Sequence, residues 1–206
     1  MSYLIQDGAE TIPDRDRMAR DVAAIVGGSV EVEPGRYGHA KISIEGFSIA
    51  FYRQHGAKSA RVRVSAWPPH SMTQRLPTHS RGPVDWPEMT VSAEKSGEQI
   101  AADVSRRILP QAREAFAALQ TKLESLDTAR ASQVAAAEAL QRAAPGVRIS
   151  VSDDPNARIE LSYWTEGGAS VSGHVASDGG LYLERVRVPA DSAAAVLAAI
   201  CGKSAA

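Results

Sequence analysis

Apolar residues along the chain alternate between two periods, and the switch points mark its elements. Met18, Val22, Ile25 and Val26 recur at helical spacing and run out at Gly27-Gly28. Thr11-Ile12-Pro13-Asp14 before them predicts a helix start, with Thr11 as the cap and Asp14 near the positive end of the dipole. Period-two runs follow: Val30 and Val32, then Ala40, Ile42 and Ile44, then Phe47, Ile49 and Phe51, then Val62, Val64 and Ala66. Pro34-Gly35, Glu45-Gly46 and His55-Gly56 separate them as turns, which predicts an antiparallel meander with one buried face. Met89, Val91 and Ala93 add an edge strand. Ser96-Gly97-Glu98-Gln99 then sets a capping box before Ile100, Val104 and Ile108. Pro110 is expected to kink or divide that helix, and Phe116, Leu119, Leu123 and Leu126 continue the helical period beyond it.

Around Ser125 to Ala129 the apolar register breaks, and an Ala-rich helix with Val134, Ala137 and Leu140 leads to Pro145-Gly146. A second meander is expected over 147–151, 157–163, 169–175 and 181–188, with turns at Asp153-Asp154-Pro155-Asn156, Gly167-Gly168 and Asp178-Gly179-Gly180. Asp191 caps a final helix carrying Val196, Ala199 and Ile200. Val30, Val32, Ala40, Lys41, Ile42 and Ile44 reappear at a constant offset as Val147, Ile149, Ala157, Arg158, Ile159 and Leu161, and Arg61-Val62-Arg63-Val64 returns as Arg185-Val186-Arg187-Val188. The expected fold is therefore α+β, a tandem duplication of an α-β-β-β-β-α unit with antiparallel meander sheets. The first unit spans 1–126 and the second 127–206.

The first copy carries an elaboration. The second passes from its last strand to its last helix through Pro189-Ala190-Asp191, whereas the first inserts about 30 residues, 67–95, at the same point. Five prolines and the tryptophans Trp67 and Trp86 lie in this insert. Charge changes the picture here. The net charge is only −1, yet no Asp or Glu occurs from Gly46 to Val84. Arg53, Lys58, Arg61, Arg63, Arg75, Arg81, His70 and His79 all fall in that stretch. With Trp67 and Trp86 they form the candidate contact surface for an anionic partner, because guanidinium forks match phosphate or carboxylate and aromatic rings stack on bases. The plainer alternative is that Arg61 and Arg63 are the solvated face of a strand and the tryptophans pin the loop to the core.

Catalytic signatures do not stand out. The five histidines never form a ligand-spaced pair, so no metal site is expected. Neither Gly27-Gly28 nor Gly167-Gly168 sits in a phosphate-cradling motif, and Asp153-Asp154 reads as a turn. No catalytic residue and no cofactor is assigned. The single cysteine, Cys201, rules out an internal disulfide and fits a reducing cytoplasm. No apolar run reaches the roughly 18–20 residues of a membrane span.

The segment from Val91 to Pro110, VSAEKSGEQIAADVSRRILP, resembles a strand-to-helix passage in uncharacterised proteins of bacteriophages and other mobile elements. The resemblance implies expression in a bacterial host and brings no activity or site residue. The expected function is accordingly a non-enzymatic interaction protein that contacts a macromolecule, a protein or a nucleic acid, through the insert. A single-stranded nucleic-acid binder is the main alternative and an enzyme of unknown class the third. Self-association through the helical region 110–143 is a further option.

Overall fold

The computed structural model describes residues 2–7, 10–32, 39–54, 60–76, 85–152, 154, 157–190 and 192–193. The chain is α+β, with helices and three antiparallel sheets. It divides into two compact units, Met1–Leu123 and Glu124–Ala206, and the division falls inside a helix.

The first unit opens with a hairpin that the apolar pattern does not announce, β1 (Leu4–Asp7) against β2 (Glu10–Pro13). Thr11, expected as a helix cap, is instead paired with Gln6 in this hairpin. Helix α1 (Arg15–Val26) is capped by Asp14, whose carboxylate accepts from the Arg17 backbone N–H at 3.0 Å. Pro13 explains the shift: it has no N–H for a ladder to use and closes the strand just before the cap. Strands β3 (Ser29–Val32), β4 (Ala40–Ile44), β5 (Phe47–Arg53), β6 (Arg61–Trp67) and β7 (Glu88–Ser92) then form one antiparallel meander in sequence order. A short helix, α2 (His70–Thr73), lies between β6 and β7.

One face of this sheet is the core. Ile42, Ile49, Phe51, Val62, Val64, Met89 and Val91 are buried with Met18 and Val22 of α1 and with Ile100, Val104 and Ile108. The last three come from helix α3 (Gly97–Asp103) and the turn after it. The capping box forms as expected, with Ser96 and Gln99 each accepting from the other's backbone N–H. Pro110 does not divide the helix. A π-helical turn over Val104–Ile108, in which the Leu109 N–H reaches back to the Val104 carbonyl, widens the spiral ahead of the proline, and helix α4 runs unbroken over Leu109–Ala143. Ala112, Leu119 and Leu123 of α4 are buried and Phe116 packs on the sheet core, so these apolar positions are already used within the chain.

Two tight contacts fix the ends of the sheet. The β4–β5 loop has only two residues, Glu45 (φ 51°) and Gly46 (φ 89°), and the positive φ at both suits the twist of the strands. Glu45 bears the strain of this conformation while its carboxylate accepts two 2.7 Å bonds from Arg113, which hold its pKa below the usual range. At the other end Tyr3 donates its phenol O–H to Asp21 at 2.7 Å and bonds through its backbone to Ala93 and Asp14. Burial pushes the Tyr3 phenol up from 10.0 to about 12, with the Asp21 hydrogen bond and charge adding to it. Because the folded value is the higher one, this contribution to stability is intact below pH 10.0 and is lost as pH rises through about 12. Tyr3→Phe is therefore expected to flatten the alkaline loss of stability over that window, as read from urea midpoints at successive pH values.

The second unit contains the C-terminal part of α4 and strands β8 (Arg148–Ser150), β9 (Ile159–Trp164), β10 (Ser170–Val175) and β11 (Leu181–Arg187), in the spatial order β11-β10-β9-β8. Its described core is small: Ala137, Ile159 and Val175, flanked by Val134, Ala136 and Ile149. Polar contacts supplement it. Arg130 donates to the Ala157 and Ser152 carbonyls at 2.9 Å each, and the Gln133 amide to the Val175 carbonyl at 3.2 Å.

The duplication is not confirmed. Both units contain an antiparallel meander, but the pairing does not follow the sequence offset. Val30 stands opposite Ile42, whereas their counterparts Val147 and Ile159 are not partners; Ile149 faces Leu161 instead, while Val32, the counterpart of Ile149, faces Ala40. The first sheet also has a fifth strand. Alternation of apolar residues specifies a buried face and leaves register to the turns. Similar strands can thus arise in sheets that are not copies. Of the predicted last helix from Asp191, Ser192 and Ala193 are described and are helical, whereas Asp191, Val196, Ala199, Ile200 and Cys201, with the turns at Pro34-Gly35, His55-Gly56 and Pro155-Asn156, lie outside the described residues.

Candidate functional site

The face of the first sheet turned away from the core is built by β6. Val62, Val64 and Ala66 point inward, so Arg61, Arg63, Ser65 and Trp67 share the opposite face, and all but Ser65 are exposed. Register supplies their neighbours. Tyr52 of β5 lies opposite Arg63, Ala50 opposite Ser65 and Ser48 opposite Trp67, while Ser92, Thr90 and Glu88 of β7 stand opposite Arg61, Arg63 and Ser65. The Arg63 guanidinium lies 5.1 Å from the Tyr52 ring centre. Tyr52 in turn meets Trp67 edge-on at 6.5 Å and His39 at 5.3 Å. Neither Arg61 nor Arg63 has a carboxylate partner among the described residues. The Ser65 hydroxyl is buried beneath this strip with no hydrogen-bond partner among the described residues.

Not every residue read from the sequence joins the strip. Arg53 is on the core-facing parity of β5, and its side chain, 9% exposed, donates to Glu10 at 2.6 Å, tying β2 to the sheet. It is a structural cation on the other face. Trp86 is half-buried and packs on Phe47 at 6.4 Å, so it pins the insert to the core. His70 begins α2 and contacts Gln74 at 2.8 Å, and Arg75 is exposed just beyond that helix. Lys58, His79 and Arg81 lie outside the described residues. The insert is also less irregular than its composition suggests, since β7 pairs along β6 and the Pro87 carbonyl accepts from Ala66 at 3.0 Å.

A second cluster, in the second unit, was not singled out from the sequence. The outward face of its sheet encloses a cavity of about 590 Å³ lined by Arg148, Arg158, Glu160, Trp164, His174 and Glu184, with Ser150, Ser162 and Ser172 on the strands beneath. The Arg148 guanidinium stacks 4.4 Å from the Trp164 ring centre. Glu184 accepts from Arg158 at 3.5 Å and lies 3.0 Å from His174 Nδ1, and the His174 ring stacks on Tyr182 at 5.5 Å. A β-bulge creates this placement. Ser172 faces Arg185 and Gly173 faces Leu183, leaving Glu184 as the extra residue of β11.

The signal was present as alternation: Arg148 and Ser150, then Arg158, Glu160, Ser162 and Trp164, then Ser170, Ser172 and His174 occupy the polar parity of three successive strands. A search for ligand spacing along the chain misses a histidine whose partner is on the next strand. Among the described residues no group of three or more His, Cys, Asp or Glu side chains is placed to hold a metal ion, and no helix is long and apolar enough to cross a membrane. Comparison with protein-family models, with curated proteins and with solved structures finds no match.

Proposed function

We propose that this chain works by binding, and that its contact surface is the outward strip of the first sheet, with single-stranded nucleic acid as the partner. The observation that carries the reading is the placement of two arginines, Arg61 and Arg63, with no carboxylate partner among the described residues, on the same strip as the exposed ring of Trp67, which is 49% accessible, and Tyr52. Guanidinium forks suit phosphate oxygens, and an exposed indole accepts a base of any identity on its face. The strip, rather than the insert as a whole, is the recognition element, since Trp86 is engaged in the core. Glu88 at the β7 edge sets one limit of the anion path.

Fluorescence anisotropy with labelled oligothymidylate at low and moderate salt tests this. Binding is expected to weaken as salt rises, with a shallow slope because few phosphates are contacted. Trp67→Ala should cost about 5- to 150-fold in affinity, from the roughly 1–3 kcal/mol of one stacked base. Arg61→Gln and Arg63→Gln should each weaken binding and reduce the salt slope, whereas Lys122→Gln on α4 should not. Absence of binding at low salt, or an affinity that these substitutions leave unchanged, rejects the nucleic-acid reading.

A further inference from the structure

We infer that the cavity on the second sheet is a site for a small zwitterion, a molecule that carries a carboxylate and an ammonium group together, such as a short peptide. This inference is independent of the function proposed for the first unit. It rests on which charges in the cavity are already used. Arg158 and His174 both turn to Glu184, at 3.5 and 3.0 Å, so those three groups satisfy one another. Arg148 and Glu160 are left without an ion pair among the described residues, although they sit on adjacent strands of the same face.

The geometry explains why these two do not pair with each other. Arg148 stands opposite Ser162, and Glu160 opposite Ser150. Trp164 and Glu160 flank Ser162 on β9 in opposite directions, and the Arg148 guanidinium lies over the Trp164 ring. The stack draws the cation to one side of Ser162 while the carboxylate stays on the other. Between them lies a floor of Ser150, Ser162 and Ser172, whose hydroxyls have no hydrogen-bond partner among the described residues.

A ligand with one charge would meet a like charge here: an anion would face Glu160, and a cation Arg148. A zwitterion meets neither objection. Its carboxylate takes the free edge of the Arg148 fork, its ammonium takes Glu160, and the serines accept or donate to the polar atoms between. The Trp164 ring, 54% exposed, supplies an apolar wall for a side chain. A volume of about 590 Å³ falls in the range of small-molecule sites and exceeds what one amino acid fills, which favours a peptide of a few residues.

Isothermal titration calorimetry of the full chain tests the inference with alanyl-leucine, its N-acetyl form and its C-terminal amide. The free dipeptide should bind, and each blocked form should bind about tenfold more weakly or worse, since each loses one charge-assisted contact. Arg148→Gln should abolish the difference between acid and amide while keeping that between free and acetylated amine. Glu160→Gln should do the reverse. Both side chains are exposed, so circular dichroism should report an unchanged fold. No heat with the dipeptide at millimolar concentration, equal binding of the three forms, or indifference to both substitutions would overturn the assignment.

Discussion

Phe51→Ala is expected to lower the stability of the first unit by about 3–5 kcal/mol, the usual cost of emptying a fully buried phenylalanine site. Phe51 has no accessible surface and lies between Ala40 of β4 and Val64 of β6 on the core face. Removing the ring forfeits its transfer free energy and leaves a cavity that the surrounding strands cannot fill, because Ile49, Val62 and Val64 are fixed by the ladder and by α1. A loss of this size is a large share of the 5–15 kcal/mol by which domains usually fold. Urea denaturation followed by circular dichroism measures it. A change below about 1 kcal/mol would mean that the sheet and helices do not pack as described.

Gly173→Ala should break the second sheet by a different route. A methyl group on Gly173 would be driven into the Tyr182 carbonyl oxygen and would stand 3.0 Å from the Leu183 Cα, both backbone atoms that no rotamer change can move. The residue sits at the bulge in the pairing of β10 with β11. We expect a cost of at least about 3 kcal/mol, at the upper end for overpacking. Amide hydrogen exchange should show protection lost along β11 and retained in the first sheet. The cavity should suffer with it, since Glu184 reaches Arg158 and His174 only from the bulged strand. Full protection of β11 in the variant would rule out this strand pairing.

Much of the architecture was legible because burial writes a period into the chain. Strands β3 to β7 fall where alternation placed them, and the capped helix at Ser96 follows from side-chain hydrogen bonding that acts within four residues. The hairpin of β1 and β2 escaped because two short strands with a largely polar composition carry no period. Register escaped too, since it depends on loop lengths and on which glycines allow close approach, and similar apolar runs obscure it. Candidate residues divide in the same way. Arg61, Arg63 and Trp67 were readable from parity on one strand, whereas the burial of Arg53 against Glu10 depends on the unforeseen hairpin. The cavity of the second unit joins side chains from four strands, and adjacency of that kind exists only after pairing.

The irregular step at Ser172 and Gly173 has a bearing on crowded solutions as well as on the fold. β11 is the outermost strand of its sheet, and Leu181, Tyr182, Leu183 and Val186 on it are all exposed. A straight strand of that composition would act as a template on which further molecules could polymerise edge to edge. One surplus residue twists the strand and turns a carboxylate toward Arg158 and His174, so a neighbouring chain cannot keep step along its whole length. Removing Glu184 by deletion would straighten the edge, and the cost would appear first as fibres or turbidity at high concentration.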